Sequence, residues 1–149
     1  METIFRLIDK QQFSLIRELW EKLNKIHYND SVNFKNYFES FTFDQRIKAF
    51  ESIEDKYIRI EIVQIKDEII GYCISTITNE IGDIQSLFID SEYRSHGFGE
   101  KLVNNALSWF RSADCNRYQV TVAEGHESVF GFYKKMGFYP RKTVLEYKN

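Results

Sequence analysis

The chain has 149 residues, of which 43% are hydrophobic, 16% aromatic and 28% charged. This composition is typical of a globular protein with one domain over residues 1–149, and it excludes disordered, collagen-like and disulfide-rich classes. Twenty basic and twenty-two acidic side chains give a net charge of −2, so no overall field favours nucleic acid or an anionic membrane as a partner.

The cysteines and histidines do not form a recognisable metal or disulfide motif. Cys73 and Cys115 lie far apart, and neither belongs to a CxxC pair. His27, His96 and His126 are too widely spaced for a ligand motif, although the fold could bring them together. The cysteine and histidine spacing therefore predicts no bound metal. The N-terminus carries early charges and no stretch approaches ~20 apolar residues, so we expect a cytoplasmic protein.

In chain order, the first predicted elements are a short strand from Ile4 to Ile8 and an amphipathic helix. The apolar residues between Phe13 and Ile26 fall on one helical stripe. One or two short helices follow, and they are rich in aromatic side chains: Phe34, Tyr37, Phe38 and Phe41. These rings either pack in the core or form a wall over a substrate pocket.

The middle of the chain predicts a hairpin and a further strand. Alternation from Tyr57 to Lys66, a turn and a second β-branched run are typical of two antiparallel strands. In the strand region from Gly82 to Ile89, an unbroken period of two places one set of side chains on a common face. That set comprises Asp83, Gln85, Leu87 and Ile89.

The last third of the chain alternates helices and strands. The pattern predicts a helix with a buried stripe from Leu102 to Phe110, a strand from Arg117 to Ala123 and a helix from Val129 to Met136. Gly137 is placed to cap that helix, and the sequences FYP and TVLEY are expected to add closing strands. Because a strand–helix–strand segment implies two neighbouring parallel strands, the order predicts a mixed α/β fold.

The strongest chemical signal is the sequence RSHGFG at residues 94–99, between a strand and a helix. Glycine lets the backbone approach a ligand, and the first N–H groups of a helix bind phosphate. A Walker loop is excluded because Glu100 and Lys101 follow the last glycine, and a dinucleotide fingerprint is excluded because Leu102 stands where its third glycine belongs. Alone, the pattern also fits a tight turn that starts a helix.

The pattern Arg/Gln-x-x-Gly-x-Gly/Ala resembles the pyrophosphate loop of the GNAT superfamily of acetyl-CoA-dependent N-acetyltransferases. Residues 89–94 are similar to the strand end that leads into that loop, and residues 132–138 to the family's aromatic, Tyr and Gly-Phe signature. The resemblance covers about residues 57–141. It implies an α/β fold whose mixed, mostly antiparallel sheet has two splayed parallel central strands and flanking helices.

The resemblance also implies a cosubstrate, acetyl-CoA, lying between the splayed strands. Its pantetheine arm would pair with the backbone at Leu87, Phe88 and Ile89. Its pyrophosphate would rest on the loop residues Arg94, Ser95, His96, Gly97, Phe98, Gly99 and Glu100. His126 stands where the family commonly has Asn, and it is expected either to contact the cofactor or to be an ordinary residue at a helix start.

Three catalytic candidates follow from the resemblance. Tyr133 matches the tyrosine that protonates the leaving thiolate, and its alternative is a core aromatic. Asp83 matches the acidic residue that some members use as a base, and its alternative is a solvated carboxylate. Gln85 stands where many relatives carry Glu; because it cannot accept a proton, we expect a hydrogen-bonding role and no preference for polyamines.

The predicted function is therefore transfer of acetyl from acetyl-CoA to a primary amine, small molecule or peptide, by direct attack in a ternary complex. Neither a Gly-x-Ser-x-Gly motif nor a cysteine next to a base supports an acyl-enzyme. The alternative is a non-catalytic acyl-CoA sensor or partner-binding module of the same fold, which Gln85 and His126 favour. Since members of the family are often dimers, a homodimer is also expected.

Overall fold

A five-stranded sheet in the order β1-β2-β3-β4-β5 forms the centre of the protein, as seen in a computed structural model that describes residues 2–149. The strands are β1 (Thr3–Ile8), β2 (Ile58–Ile65), β3 (Glu68–Thr78), β4 (Ile81–Ile89) and β5 (Arg117–Val120). Neighbours pair antiparallel except for β4 and β5, which are parallel. The predicted mixed sheet with one parallel pair is confirmed.

Helices cover both faces of this sheet. They are α1 (Arg17–Asp30), α2 (Lys35–Ser40), α3 (Phe43–Lys48), α4 (Phe98–Ser112) and α5 (Phe130–Lys135). A capping box at Asp9 starts the helical turn that precedes α1, and a second one at Thr42 starts α3. In each box the side chain accepts a hydrogen bond from a free backbone N–H. None of the helices within residues 2–149 has the length and apolar character needed to cross a membrane.

Two apolar clusters lie on opposite faces of the sheet. One cluster packs α1 and α3 against the face that carries Tyr72, with Trp20 among its buried residues. The other packs α4 and α5 against the face that carries Cys73, with Phe110 among its buried residues. Tyr72 and Cys73 are adjacent in β3 and both are almost fully buried, which explains why this strand is apolar along nearly its whole length.

The pairing of β3 with β4 contains a β-bulge at Gln85. Ser86 and Ile84 pair with two consecutive residues of β3, so Gln85 between them is the extra residue. A bulge of this kind bends the strand and shifts the side-chain alternation by one position. It lies directly after the last residue of β4 that pairs with β5.

The bulge makes part of the predicted alternation in β4 wrong. Leu87 and Ile89 pack with the α4 cluster, whereas Asp83, Gln85 and Ser86 point to the opposite face, toward α1 and α3. The predicted pair of polar side chains on one side of the sheet therefore remains, but Leu87 and Ile89 do not share its face. A period of two cannot reveal the position of an inserted residue.

The strands β4 and β5 diverge. Their pairing runs from Ile81 opposite Arg117 to Ile84 opposite Val120. Beyond that point β4 continues to Ile89, and within residues 2–149 no strand pairs with this edge of its backbone. The predicted splay of the two parallel strands is confirmed.

The prediction of closing strands is wrong, because residues 139–149 form neither helix nor strand. A strand persists when its backbone pairs and one of its faces is buried. Val144, Leu145 and Tyr147 are 80%, 91% and 86% exposed, so this segment buries no apolar face on the sheet. As a result β5 lies at the edge.

Candidate active site

A cleft of about 470 Å³ opens where β4 and β5 separate. Its base consists of residues 83–87 of β4 and residues 120–123 at and beyond the end of β5. The loop after β5 and helix α5 close one side with His126, Val129, Phe132 and Tyr133. The opposite side is formed by residues of α1, α2 and α3, namely Trp20, Leu23, Asn24, His27, Tyr37, Phe38, Phe41 and Arg46.

The aromatic residues around α2 form one wall of this cleft, as one of the two readings of the sequence predicted. The Tyr37 ring lies 5.1 Å from that of Phe38 and 5.3 Å from that of Phe41, measured between centroids. Asn24 of α1 donates hydrogen bonds to the carbonyl oxygens of Phe38 and Phe41 and so holds this segment in place. Because α2 buries none of its own residues, its rings supply the surface of the cleft.

Asp83 lines the cleft at the last paired stretch of β4. Its carboxylate accepts a hydrogen bond of 3.1 Å from Nε2 of Gln119, the residue opposite it on β5. Burial raises the pKa of Asp83, while the Gln119 hydrogen bond and the Arg46 charge oppose that change. A carboxylate with a raised pKa is the better proton acceptor near neutral pH. Sequence reasoning missed Gln119, because the strand register alone brings it to Asp83.

Both ends of the Gln85 amide are engaged by protein groups. Its Nε2 donates to the Thr76 hydroxyl at 2.9 Å, and its Oε1 accepts from Nη2 of Arg46 at 3.1 Å. The same Nη2 donates to the Gln85 carbonyl at 2.9 Å. Sequence reasoning missed Arg46, since in a short helix it looks like any exposed basic residue.

Tyr133 packs in the core and also reaches the cleft. Its side chain is 9% exposed, and its ring meets those of Phe132 and Phe138 edge-on. Burial raises the pKa of its hydroxyl above the usual range, with a smaller contribution from the Cys73 thiol. The hydroxyl therefore stays protonated throughout the physiological range.

The glycine-rich loop adopts the backbone that starts α4. Gly97 is its N-cap with φ of 81°, and Ser95 also has a positive φ of 67°. A Cβ at Gly97 would meet no atom within 4 Å, so this glycine is needed for its conformation. A Cβ at Gly99 would lie 3.5 Å from the Phe132 ring, which is ordinary contact. The first N–H groups of α4 have no hydrogen-bond partner within the helix. Glu100 lies in this first turn.

Arg94 and His96 lie beside this loop on the outside of the protein. Arg94 donates from Nε to the Ile89 carbonyl at 3.0 Å, and its guanidinium lies 5.4 Å from the centre of the Phe88 ring. The His96 ring is exposed and lies 5.8 Å from that of Phe98. The loop and the free end of β4 are thus adjacent, as the predicted cofactor site requires.

The fold brings His126 and His27 together at the end of α1. Their ring centroids are 4.9 Å apart, and Nδ1 of His126 lies 3.4 Å from a carboxylate oxygen of Asp30. Nδ1 of His27 is buried and has no hydrogen-bond partner within residues 2–149. Burial lowers the pKa of His27 to about 4, and His126 adds to that effect. The described residues contain no group of three or more His, Cys, Asp or Glu suited to a metal ion.

The loop between β5 and α5 is fastened to the end of α1 by Glu124. Its carboxylate accepts hydrogen bonds from the N–H groups of Val32 at 3.0 Å and Asn33 at 2.9 Å, and one from the Ser31 hydroxyl. Gly125 has φ of 88°, and a Cβ there would clash with the last carbonyl of α1. These contacts fix the wall of the cleft that carries the two histidines.

Comparison with known proteins finds a family match over most of the chain. The acetyltransferase (GNAT) family matches residues 16–138. A peptidyl-lysine N-acetyltransferase of Salmonella typhimurium, YjaB, is 38% identical over 73 residues, which are 49% of this chain and 44% of that protein. An uncharacterized N-acetyltransferase of Methanocaldococcus jannaschii, MJ1207, is 26% identical over 65 residues, 44% of this chain and 29% of that protein. The match therefore spans less than half the length of these curated relatives.

Solved structures are similar over nearly the whole chain. The PaiA N-acetyltransferase from Thermoplasma acidophilum, in complex with coenzyme A, has a TM-score of 0.77 and 18% identity, covering 97% of this chain and 94% of that one. AAC(6')-Iy, in complex with the bisubstrate analog CoA-S-monomethyl-acetylneamine, has a TM-score of 0.73 and 15% identity, covering 100% and 99%. At these identities the likeness shows a common fold.

His27 is expected to weaken the fold in acid. Its pKa is about 4 in the folded chain and ~6.5 when unfolded, so the unfolded state takes up the proton first as the pH falls. The free energy of unfolding relative to a His27→Phe variant should therefore fall between about pH 6.5 and pH 4, by roughly 1 to 2 kcal/mol after allowance for partial exposure. Urea unfolding across this range measures the difference.

The matched control for this experiment is His96→Phe, because His96 is exposed. A pH-independent difference for His27→Phe would contradict the assignment of a neutral, buried imidazole.

Proposed function

The chain belongs to the GNAT acetyltransferase family, and on that basis we propose that it transfers an acetyl group from acetyl-CoA to a primary amine by direct attack in a ternary complex. The observation that carries this proposal is the cleft between the diverging ends of β4 and β5. It joins a loop with free helical N–H groups to a partly buried carboxylate, Asp83. The acceptor is a small molecule or a peptide that reaches the cleft with its amine.

The residues present fit acetyl-CoA at both ends of the cleft. The edge of β4 from Leu87 to Ile89 has no neighbouring strand within residues 2–149 and offers backbone groups to an extended arm that contains amides, although the Ile89 carbonyl also accepts a hydrogen bond from Arg94. The start of α4, with Gly97 at its cap, offers N–H groups to a diphosphate. His126, on the wall of the cleft, is proposed to contact the same arm. When bound, acetyl-CoA supplies an activated thioester carbonyl and a thiolate leaving group.

Asp83 is proposed to accept the proton of the amine. An alkyl ammonium ion with a pKa of ~10.4 costs about 4 kcal/mol to deprotonate at neutral pH, whereas an α-amino group costs under about 1 kcal/mol. The base therefore matters most for alkyl amines. Gln119 orients the Asp83 carboxylate and leaves its second oxygen for the amine or for an intervening water.

Tyr133 is proposed to donate a proton from its hydroxyl to the departing thiolate. Burial raises the pKa of the phenol, which makes it a weaker acid. The same low-dielectric surroundings raise the pKa of a thiol, so the difference between donor and acceptor changes little. A gap of about 1.5 pKa units, or roughly 2 kcal/mol, is small beside a chemical barrier.

Gly97→Ala is expected to weaken acetyl-CoA binding roughly 10-fold, because the methyl group disfavours the left-handed backbone that aims the loop N–H groups. Gly137→Ala is the matched control. Gly137 also has a positive φ and open surroundings, but it follows α5 and is not part of the loop. Calorimetric titration with acetyl-CoA measures both variants. Equal affinities, or tighter binding of ATP or NAD than of CoA, would contradict the proposed binding mode.

Asp83→Asn is expected to lower kcat/KM by about 10- to 100-fold, and most strongly on the acidic side of the pH profile, where the amine is protonated. Asp44→Asn serves as the control, since Asp44 pairs with Arg17 outside the cleft. Initial rates of CoA-thiol release over a pH series measure the effect. A pH profile that is unchanged by Asp83→Asn would contradict this role and indicate that water accepts the proton.

Tyr133→Phe is expected to lower kcat by roughly 10- to 1,000-fold while stability and acetyl-CoA affinity stay near native, because only the hydroxyl is lost. Tyr118→Phe, at a half-buried tyrosine in contact with the same apolar cluster, should leave kcat unchanged. Rapid-quench kinetics isolate the chemical step. Full kcat in the Tyr133→Phe variant would contradict the proton-donor role and leave Tyr133 with a packing role alone.

A second copy of the chain is proposed to cover the exposed C-terminal segment. Val144, Leu145 and Tyr147 are largely exposed, and β5 is an edge strand of the sheet. An exposed apolar segment and an open edge both favour association. We expect a homodimer, and a monomer after truncation at Pro140. Light scattering measures the mass of each. A full-length chain that is monomeric at about 100 μM would contradict the proposal.

A further inference from the structure

Arg46 is a half-buried charge in the cleft without a bound counter-charge. Its guanidinium lies 4.7 Å from the centre of the Phe50 ring and donates from Nη2 to the two oxygens of Gln85. Within residues 2–149, no carboxylate oxygen lies within 4.0 Å of it. Its other nitrogens, Nε and Nη1, donate to no atom of these residues.

Other arginines of the chain are paired differently. Arg59, which is also half-buried, forms an ion pair of 3.0 Å with Glu61. Arg17 lies 4.7 Å from the Phe43 ring, the same distance as in the Arg46 stack, but it is paired with Asp44 at 2.7 Å. A partly buried cation is costly without an opposite charge. Arg46 lines the cleft and differs from both in having no carboxylate partner among residues 2–149.

The residue that binds Arg46 preserves its positive charge. Gln85 is neutral, so its hydrogen bonds orient the guanidinium without neutralising it. A glutamate at this position would form an ion pair with Arg46. Asp83 faces Arg46 from the same strand, but it is farther than an ion-pair distance and is bound to Gln119.

From this arrangement we infer that the acceptor amine also carries a carboxylate, and that Arg46 binds it. The inference rests on the proposed acetyl transfer and names the class of acceptor. A guanidinium has a planar fork of donors that matches a carboxylate. Asp83 and Gln85 lie two residues apart in β4 and both line the cleft. An amine at Asp83 and a carboxylate at Arg46 therefore fit within one amino acid or similar small aminocarboxylate.

The walls of the cleft are consistent with such a ligand. Tyr37, Phe38 and Phe41 offer rings to the apolar part of an amino acid beside Arg46. A polycationic acceptor would instead place a second positive charge near the guanidinium, which costs binding free energy. Arg46 acts in this way as the specificity-determining residue of the site.

The test compares amino acids with their carboxamides, in which a neutral group replaces the carboxylate. The amine of a carboxamide is the less basic of the two, so more of it is in the reactive neutral form, and a preference for the acid cannot come from amine protonation. L-phenylalanine and L-leucine are each assayed against their carboxamides, with putrescine as a polycation, by CoA-thiol release. The native chain is expected to prefer the acids by about 10-fold or more in kcat/KM. Arg46→Gln should abolish this preference by raising KM for the acids, while KM for acetyl-CoA stays constant.

Three further variants sharpen the comparison. Gln85→Glu should also reduce the preference for the acids, because it neutralises the guanidinium. Arg46→Lys should keep part of it, because it retains the charge but loses the fork. Arg17→Gln is the matched control and should leave the preference unchanged, since that arginine stacks on a ring outside the cleft.

The outcomes separate this inference from the proposed function. Transfer to carboxamides at rates equal to the acids, or a preference that survives Arg46→Gln, overturns the inference and leaves acetyl transfer standing. If no amine is acetylated, the proposed function fails, and calorimetric binding of L-phenylalanine to the CoA-loaded protein decides the inference. Binding that is lost in Arg46→Gln supports a carboxylate site; absence of binding to the native chain overturns it.

Discussion

The divergence of β4 from β5 is the constraint on which the rest of the site depends. The two strands pair as far as Ile84 and Val120, and the next residue of β4, Gln85, is the bulge. An extra residue bends its strand and increases the local twist, so β4 turns away where parallel pairing ends. The gap that results exposes the backbone of β4 and gives access to the cleft between the two helical layers.

The bulge also determines which charges meet in the cleft. It keeps Asp83 and Gln85 on the face of α1 and α3 and turns Leu87 into the opposite core. Gln85 then receives Arg46 from α3, while Gln119 holds Asp83 from β5. Partial burial strengthens electrostatic interactions with a ligand. An acid whose pKa is raised, on β4, and a cation with unpaired nitrogens, on α3, thereby both line the cleft.

Local patterns in the sequence predicted much of this arrangement. The loop at residues 94–99 starts α4, Gly137 ends α5 with a positive φ, and the hairpin and parallel pair are present. What was missed depends on contacts between distant segments. Gln119 reaches Asp83 through strand register, and the rings of His27 and His126 meet only after folding. The predicted closing strands are absent, and the apolar residues of the second one, Val144, Leu145 and Tyr147, remain exposed.

A crystal structure of the protein with CoA tests the central claim most directly, namely that the divergence at Gln85 creates the cosubstrate site. The account predicts that the pantetheine amides hydrogen-bond to the backbone of residues 87–89 and that the diphosphate lies on the N–H groups of residues 94–100. CoA bound elsewhere, or β5 paired with β4 as far as Ile89 in the complex, would contradict it.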